Sequence, residues 1–427
     1  LFGPIDRVMV TQNMPQIVIF EDAGYRDLLP LTWWRTAREL RLGARTLIDH
    51  LRTALGSDAG DPMFYCRPDL ADVAAERLGG PVNQPVDAES VLFVNARLLT
   101  AESVTPGPIG SVSRIGDTPV IIHADRSLGA KLLPQTLLDP EALAGLLANS
   151  PTSSPPESAK LISYPWDLIN ANDEWIERDW QRQGKLYGVD GHVYRGVHIL
   201  NASAVFIGKN SVIKPGVVID AEAGPVLIGQ DVKVFPNAVI TGPCVIGDRC
   251  EISENACIAE GTTLGPRCKM GGEVSHSIVH GFSNKVHYGY LGKAYLGEWV
   301  NFGAGTTNSD LKNTYGTIRV PVNGVDVDTG KIFIGLTVGD FSKSGIGQMF
   351  STGSIVGFGC NVATRRFAPR FVPSFTWLTD QGQAAYDVDR CIEVAGRAMS
   401  RRQRELTPAE EQRFCQLRAL SDQIEQK

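Results

Sequence analysis

The sequence predicts two folded parts: an α/β domain at the N-terminal side and a parallel β-helix after it, closed by a helical C-terminal extension. Three observations predict this. Every sixth residue from Ile228 to Met270 is aliphatic or Met: Ile228, Val234, Ile240, Ile246, Ile252, Ile258, Leu264 and Met270. Two places before each stands a mostly small residue: Val226, Val232, Ala238, Cys244, Cys250, Ala256, Thr262 and Cys268. Before residue 150, apolar strand-like runs alternate with helical patterns, as in α/β domains. A period of six fits neither a 3.6-residue helix nor an ordinary strand. Residues two apart on a strand face the same way, so each pair points into one narrow core. Short strands joined by corners make a triangular coil of about eighteen residues, and stacked six-residue repeats make a solenoid. Asn237 and Asn255 fall at corners, where Asn or Gly tolerates a positive φ.

The length of 427 residues suggests two or three domains. No apolar run approaches the length of a membrane span. The net charge of −6 gives no bulk reason to expect nucleic acid. No basic-then-apolar leader is visible, and the opening LFGPIDRVMVTQ is set aside as upstream of a natural start at Met14. Four of the eight cysteines, Cys244, Cys250, Cys268 and Cys360, take the small inward position of a repeat and read as buried hydrophobes. Buried thiols suggest a reducing, cytoplasmic setting.

In chain order, QIVIFEDAG (16–24) reads as a buried strand running into a turn. Residues 30–51 combine apolar Leu40, Leu42, Leu47 and Ile48 with a basic cluster of Arg35, Arg38, Arg41 and Arg45. Residues 63–66, 90–99 and 118–124 are further strands, and 139–149 a short helix. A Ser- and Pro-rich stretch (150–158) is an exposed linker. Residues 164–182 are amphipathic and helical. Repeat character begins near His198, breaks after Met270, and resumes at Ile334, with an excursion over 304–333. Long insertions in a solenoid usually carry function. Thr407, Pro408 and Glu410 mark a capped helix start in the tail. The expected boundaries are 1–155 for the α/β domain, 156–197 for linker and helical arm, 198–375 for the β-helix and 376–427 for the helical extension.

The densest set of chemical side chains lies between Glu273 and Lys312. Three of the seven histidines, His276, His280 and His287, fall there. Their spacing is open to proton transfer or to a metal.

The six-residue repeats resemble those of the hexapeptide acyltransferases, which implies a left-handed β-helix and a homotrimer. NKVHYGYLGKAYLGEWVNFGAGT (284–306) resembles the acetyltransferase part of the bifunctional N-acetylglucosamine-1-phosphate uridylyltransferase/glucosamine-1-phosphate acetyltransferase family. That resemblance implies acetyl-CoA as co-substrate, an amino-sugar phosphate as acceptor, His287 as general base, and Tyr290 and Asn301 as sugar-phosphate contacts. It also implies acetyl-CoA over the later coils, near Ala304, with Arg365, Arg366 and Arg370 available to its phosphates. Ser275, Cys257 and Asp310-Leu311 stand where the family carries Lys, Arg and Asn-Tyr. Lys285, Lys293 and Lys312 are candidates to compensate.

The stretch IFEDAGYRDLLPLTWWRTARELRLG resembles a divergent sugar nucleotidyltransferase domain that precedes this β-helix in some bacterial proteins. The resemblance implies UTP or another nucleoside triphosphate at Arg35, Arg38 and Arg41. It implies Mg²⁺ at Asp22 or Asp27, with Asn95 where the usual Mg-binding Asp stands. Two other readings stay open: nucleotidyl transfer alone beside a structural β-helix, and a non-catalytic trimeric sugar-nucleotide binder.

Overall fold

The computed structural model describes residues 15–56, 60–183 and 188–425. The opening stretch and Met14 lie outside the described residues. The chain divides into two compact units. The first comprises Leu1–Ala23, Leu51–Pro68 and Pro81–Leu161; the second comprises Gly24–His50, Asp69–Gly80 and Ile162–Lys427. The division is therefore interleaved, where the sequence suggested a single boundary near residue 155.

The first unit is built on a six-stranded mixed sheet. Gln16–Phe20 pairs in parallel with Met63–Tyr65 on one side and Ser90–Asn95 on the other. Thr118–Asp125 then joins Ser90–Asn95 antiparallel. Val18, Phe20, Val91, Phe93 and Ile122 form its core with Leu137 and Leu143 of the short helices and Leu132 of the connection before them. The helix Pro140–Leu146 starts as read: Asp139 accepts from the Glu141 and Ala142 N–H groups, and Pro140 takes the first turn.

The second unit is a parallel β-solenoid of about ten turns between residues 192 and 379. Val226 pairs with Cys244 and Cys244 with Thr262, one eighteen-residue coil each. Both inward columns read from the sequence are buried to 1% exposure or less, from Val226 and Ile228 through Cys268 and Met270. Asn237 and Asn255 adopt φ of 62° and 58° at their corners. The register then shortens: Thr263 pairs with Ile278, a fifteen-residue coil. Tyr295 pairs with Thr337, while Thr307–Asn308 pair in parallel with Met349–Phe350, so only the later part of the excursion, closed by the Leu311–Phe333 bridge, is looped out between rungs. Within it, Arg319–Val322 and Val325–Asp328 form a hairpin whose Val320 and Val322 pack with Trp166 and Ile355.

Stacked rungs leave no room for side chains at the closest backbone approaches. A Cβ on Gly271 would fall on the Val286 carbonyl oxygen, which is backbone and cannot swing away. Gly271→Ala is expected to cost about 3 kcal/mol, read as a lowered urea midpoint with an unchanged slope.

The segment 24–50, nominally N-terminal, is packed into the second unit. Trp33 and Trp34 join Phe341, Phe358 and Phe375 of the coils and Phe414 of the tail in one aromatic cluster. Trp34 meets Phe341 edge-on at 5.2 Å and Phe414 at 5.0 Å between centroids. The tail is two helices, Val388–Ser400 and Pro408–Glu425. The second carries the expected capping box: Glu410 N–H donates to Thr407 Oγ1 and Thr407 N–H to Glu410 Oε2, each at 3.2 Å.

Candidate functional site

The irregular rungs after Met270 concentrate polar and titratable side chains. Lys285 stands at an inward position, opposite Met270 of the rung before. It is 1% exposed. Its ammonium donates to the carbonyl oxygens of Gly271 at 2.8 Å, Gly289 at 2.5 Å and His287 at 3.3 Å. All three donors of an ammonium are thereby used on backbone. The side chain expected to touch substrate instead holds the His287–Gly289 corner from inside. Burial lowers its pKa to about 8 from 10.5.

That shift has a sign. The unfolded chain holds this proton up to about pH 10.5 and the folded chain only to about 8, so stability rises with pH across that window. Lys285→Met is expected to remove this slope. The wild-type minus variant difference should change by about 3 kcal/mol between the two ends of the window, measured by urea melts below and above it.

His287 is exposed, at the corner that Lys285 secures. Tyr290 begins the next strand, Tyr290–Gly292, and its hydroxyl donates to Asp310 Oδ2 at 2.8 Å. Burial and that carboxylate together push the phenol pKa up, so Tyr290 is a donor. Its ring lies over Gly292, where a Cβ would meet it. Asn308 closes the same rung: its Nδ2 donates to Gly292 O at 2.9 Å, and its Oδ1 accepts from Gly292 N–H at 3.1 Å. Asn301 is exposed, with its Oδ1 3.3 Å from Asn284 Nδ2. Lys312 donates to Thr317 O at 2.5 Å. The Ala304 carbonyl accepts from Gly347 N–H at 2.7 Å. Arg365 and Arg366 sit on the exposed side of a later coil, Arg365 Nε 3.5 Å from Asp380. Arg370 pairs with Asp326 of the hairpin at 3.2 Å.

The three histidines do not converge. His280 is buried between Arg35 and Arg41, and burial first, then those cations, drive its pKa well below the usual value. His276 faces Asp173, and His287 faces solvent. Among the described residues, no group of three or more His, Cys, Asp and Glu is placed to hold a metal ion.

The basic cluster has other partners than nucleotide phosphates. Arg35 is buried and donates to Asp340 Oδ2 at 3.1 Å, with Glu298 also at 3.1 Å. Arg41 Nε donates to His280 O at 2.7 Å, and its N–H to the Tyr295 hydroxyl at 2.8 Å. Arg38 is 4% exposed, with Nε on Thr36 Oγ1. Arg35 and Arg41 fasten the segment 24–50 to the rungs.

In the first unit, the carboxyl ends of the parallel strands carry two buried ion pairs. Arg67 meets Glu21 at 2.6 Å, and Arg97 meets Asp22 through Nε at 2.7 Å and Nη2 at 2.6 Å. Asn95 Nδ2 adds a bond to Asp22 Oδ2 at 2.9 Å. A divalent cation on Asp22 would need the oxygens that Arg97 and Asn95 occupy, and would meet the guanidinium charge. Asp27 lies in the other unit, accepting from Asn323 Nδ2 at 3.2 Å. This donor set does not fit Mg²⁺.

Sequence reasoning did not find Asp173, Asp340 or Glu298. The first lies on a helix about one hundred residues before its partner, and no local pattern marks any of them.

Residues 17–185 match the family of sugar nucleotidyl transferases, and residues 225–260 match the bacterial transferase hexapeptide (six repeats). Two segments of the chain thus match transferase-family models. No curated protein matches it. Solved structures with similarity include an Arabidopsis UDP-N-acetylglucosamine acyltransferase, 12% identical, with TM-score 0.22, covering 51% of this chain and 80% of that one. LpxA from Acinetobacter baumannii is 13% identical, with TM-score 0.18, covering 57% and 97%. A Francisella novicida UDP-N-acetylglucosamine acyltransferase is 17% identical, with TM-score 0.21, covering 53% and 76%. Among the described residues, no helix is long and apolar enough to cross a membrane.

Proposed function

We propose that the β-helix transfers an acetyl group from acetyl-CoA to the amine of an amino-sugar phosphate. The observation that carries this reading is the His287 corner. An exposed imidazole stands on backbone that a buried ammonium pins at the His287 and Gly289 carbonyls. A base held in place this way costs little reorganisation at the moment of reaction.

The chemistry follows from the amine. Only its neutral form attacks a thioester carbonyl, so a proton must leave as the C–N bond forms. His287 accepts it, and the thiolate of CoA departs as the tetrahedral adduct collapses. Tyr290 and Asn301 lie on the same and the following rung and supply polar contacts for the sugar. Acetyl-CoA lies along the later coils, by Ala304, with its phosphates toward Arg365 and Arg366. The segment similar to sugar nucleotidyl transferases would couple this step to nucleotidyl transfer on the sugar phosphate.

A second copy of the chain completes the site in a homotrimer. Tyr288, Ile346 and Phe367 are 73%, 82% and 59% exposed, unusual for such apolar groups and suited to an interface.

A thermal-shift panel of acetyl-CoA, UTP and hexosamine phosphates tests the assignment, because a ligand that binds only the folded chain raises its melting temperature. Acetyl-CoA is expected to raise it. The absence of any shift at millimolar acetyl-CoA sinks the proposal.

A further inference from the structure

One polar cluster on the solenoid is used by none of the steps above. Ser275 ends the strand Glu273–Ser275, and His276 turns the corner after it with φ of 42°. Gly261 holds the equivalent place one rung earlier with φ of 68°, and Lys293 one rung later with φ of 47°. Side chains at positive φ carry a backbone cost that glycine avoids. This corner therefore keeps an imidazole and an amine where glycine would serve the turn.

The imidazole has a hydrogen-bond contact at Nδ1 and a carboxylate near Nε2, beyond hydrogen-bond distance. Ser275 Oγ lies 2.9 Å from His276 Nδ1, and Asp173 Oδ2 lies 3.7 Å from Nε2. Asp173 comes from the helix Pro165–Gln183, which is docked on these rungs by the neighbouring Asn172. Asn172 Nδ2 donates to Gly261 O at 2.9 Å and Thr263 Oγ1 at 3.0 Å. A Cβ on Gly261 would collide with both Asp173 Oδ1 and the His276 ring, so the glycine opens the space in which they meet. Asp173 Oδ1 is itself buried without a hydrogen-bond partner, a state that asks for an explanation in a native fold. The carboxylate beside Nε2 favours the tautomer with its proton there. Nδ1 is then left to accept from the serine hydroxyl. Hydroxyl, imidazole and carboxylate thus stand in the order that activates a nucleophile, with distances that tighten on ligand binding in such sites.

We propose that Ser275, His276 and Asp173 form a second acyl-transfer centre, acting on small activated esters or thioesters through an acyl-serine. Ser275 Oγ attacks the acyl carbonyl carbon as its proton passes to His276 Nδ1. The carbonyl–oxygen or carbonyl–sulfur bond breaks, and the leaving alcohol or thiol takes that proton. Water then attacks the acyl-serine, gives a proton to the same nitrogen, and releases the carboxylic acid as Oγ regains its proton. Asp173 stabilises the imidazolium in both halves, and Lys293 supplies a cation at the same corner for the oxyanion.

Labelling with a fluorophosphonate probe, followed by peptide mapping, tests this without acetyl-CoA and so reads independently of the chemistry at His287. The wild-type chain is expected to be modified at Ser275, Ser275→Ala to lose that modification, and His276→Gln to label about 100-fold more slowly or worse. Asp173→Asn keeps the shape and is expected to slow labelling while the melting temperature holds. Absence of label on Ser275 in the folded chain, or wild-type labelling of His276→Gln, overturns the proposal.

Discussion

Replacing His287 by alanine is expected to lower kcat for acetyl transfer by about 10²- to 10⁴-fold, the usual worth of a positioned general base. The effect should fall on kcat and kcat/KM together, because the imidazole acts on a proton that leaves only in the transition state. The melting temperature should stay where it is. The side chain is exposed, and the corner beneath it is held by Lys285 through backbone oxygens that alanine retains. Steady-state thiol release and a thermal melt of the same preparation separate the two readouts. A variant with wild-type kcat would remove His287 from the mechanism and turn attention to other bases on these rungs.

The largest expected loss of stability comes from the Arg35 pair. Arg35, Asp340 and Glu298 meet with the arginine and Asp340 at 1% and 0% exposure. The two carboxylates hold the guanidinium firmly charged in spite of its burial. Removing one side of a buried pair leaves the other charge stranded, which costs about 3–5 kcal/mol. Arg35→Met should therefore lower the unfolding free energy by that amount. Arg35→Met combined with Asp340→Leu should recover part of it, because the fully buried carboxylate leaves with the arginine and only the partly exposed Glu298 remains. Urea melts of the two single variants and the double variant form the cycle. A cost of under about 0.5 kcal/mol for Arg35→Met would mean that water or another group replaces the arginine without penalty, contrary to this account.

The solenoid was legible because its rule is local. Inward residues recur every six positions, and the columns headed by Val226 and Ile228 are the core that forms. The corners at Asn237 and Asn255 and the cap at Thr407 were legible for the same reason: each is decided by one to four neighbouring residues. The destination of the segment 24–50 was not. Its arginines read as phosphate ligands because their partners, Asp340, Glu298 and the His280 carbonyl, lie some 240 to 305 residues away in sequence. Lys285 was misleading in a different way. It read as a candidate substrate contact, yet here three backbone carbonyls at a broken rung draw it inward. The break in the repeat coincides with the polar cluster around His287, Tyr290 and Asp310. It could not reveal Asp173, which arrives on a helix from outside the repeat.

The decisive experiment is product analysis with acetyl-CoA and glucosamine-1-phosphate as the substrate pair. Release of CoA thiol is expected, matched mole for mole by an N-acetylated sugar phosphate in the mass spectrum, both dependent on the amine. Thiol release without an N-acetylated product, or no thiol release from a folded chain saturated with both compounds, would contradict it.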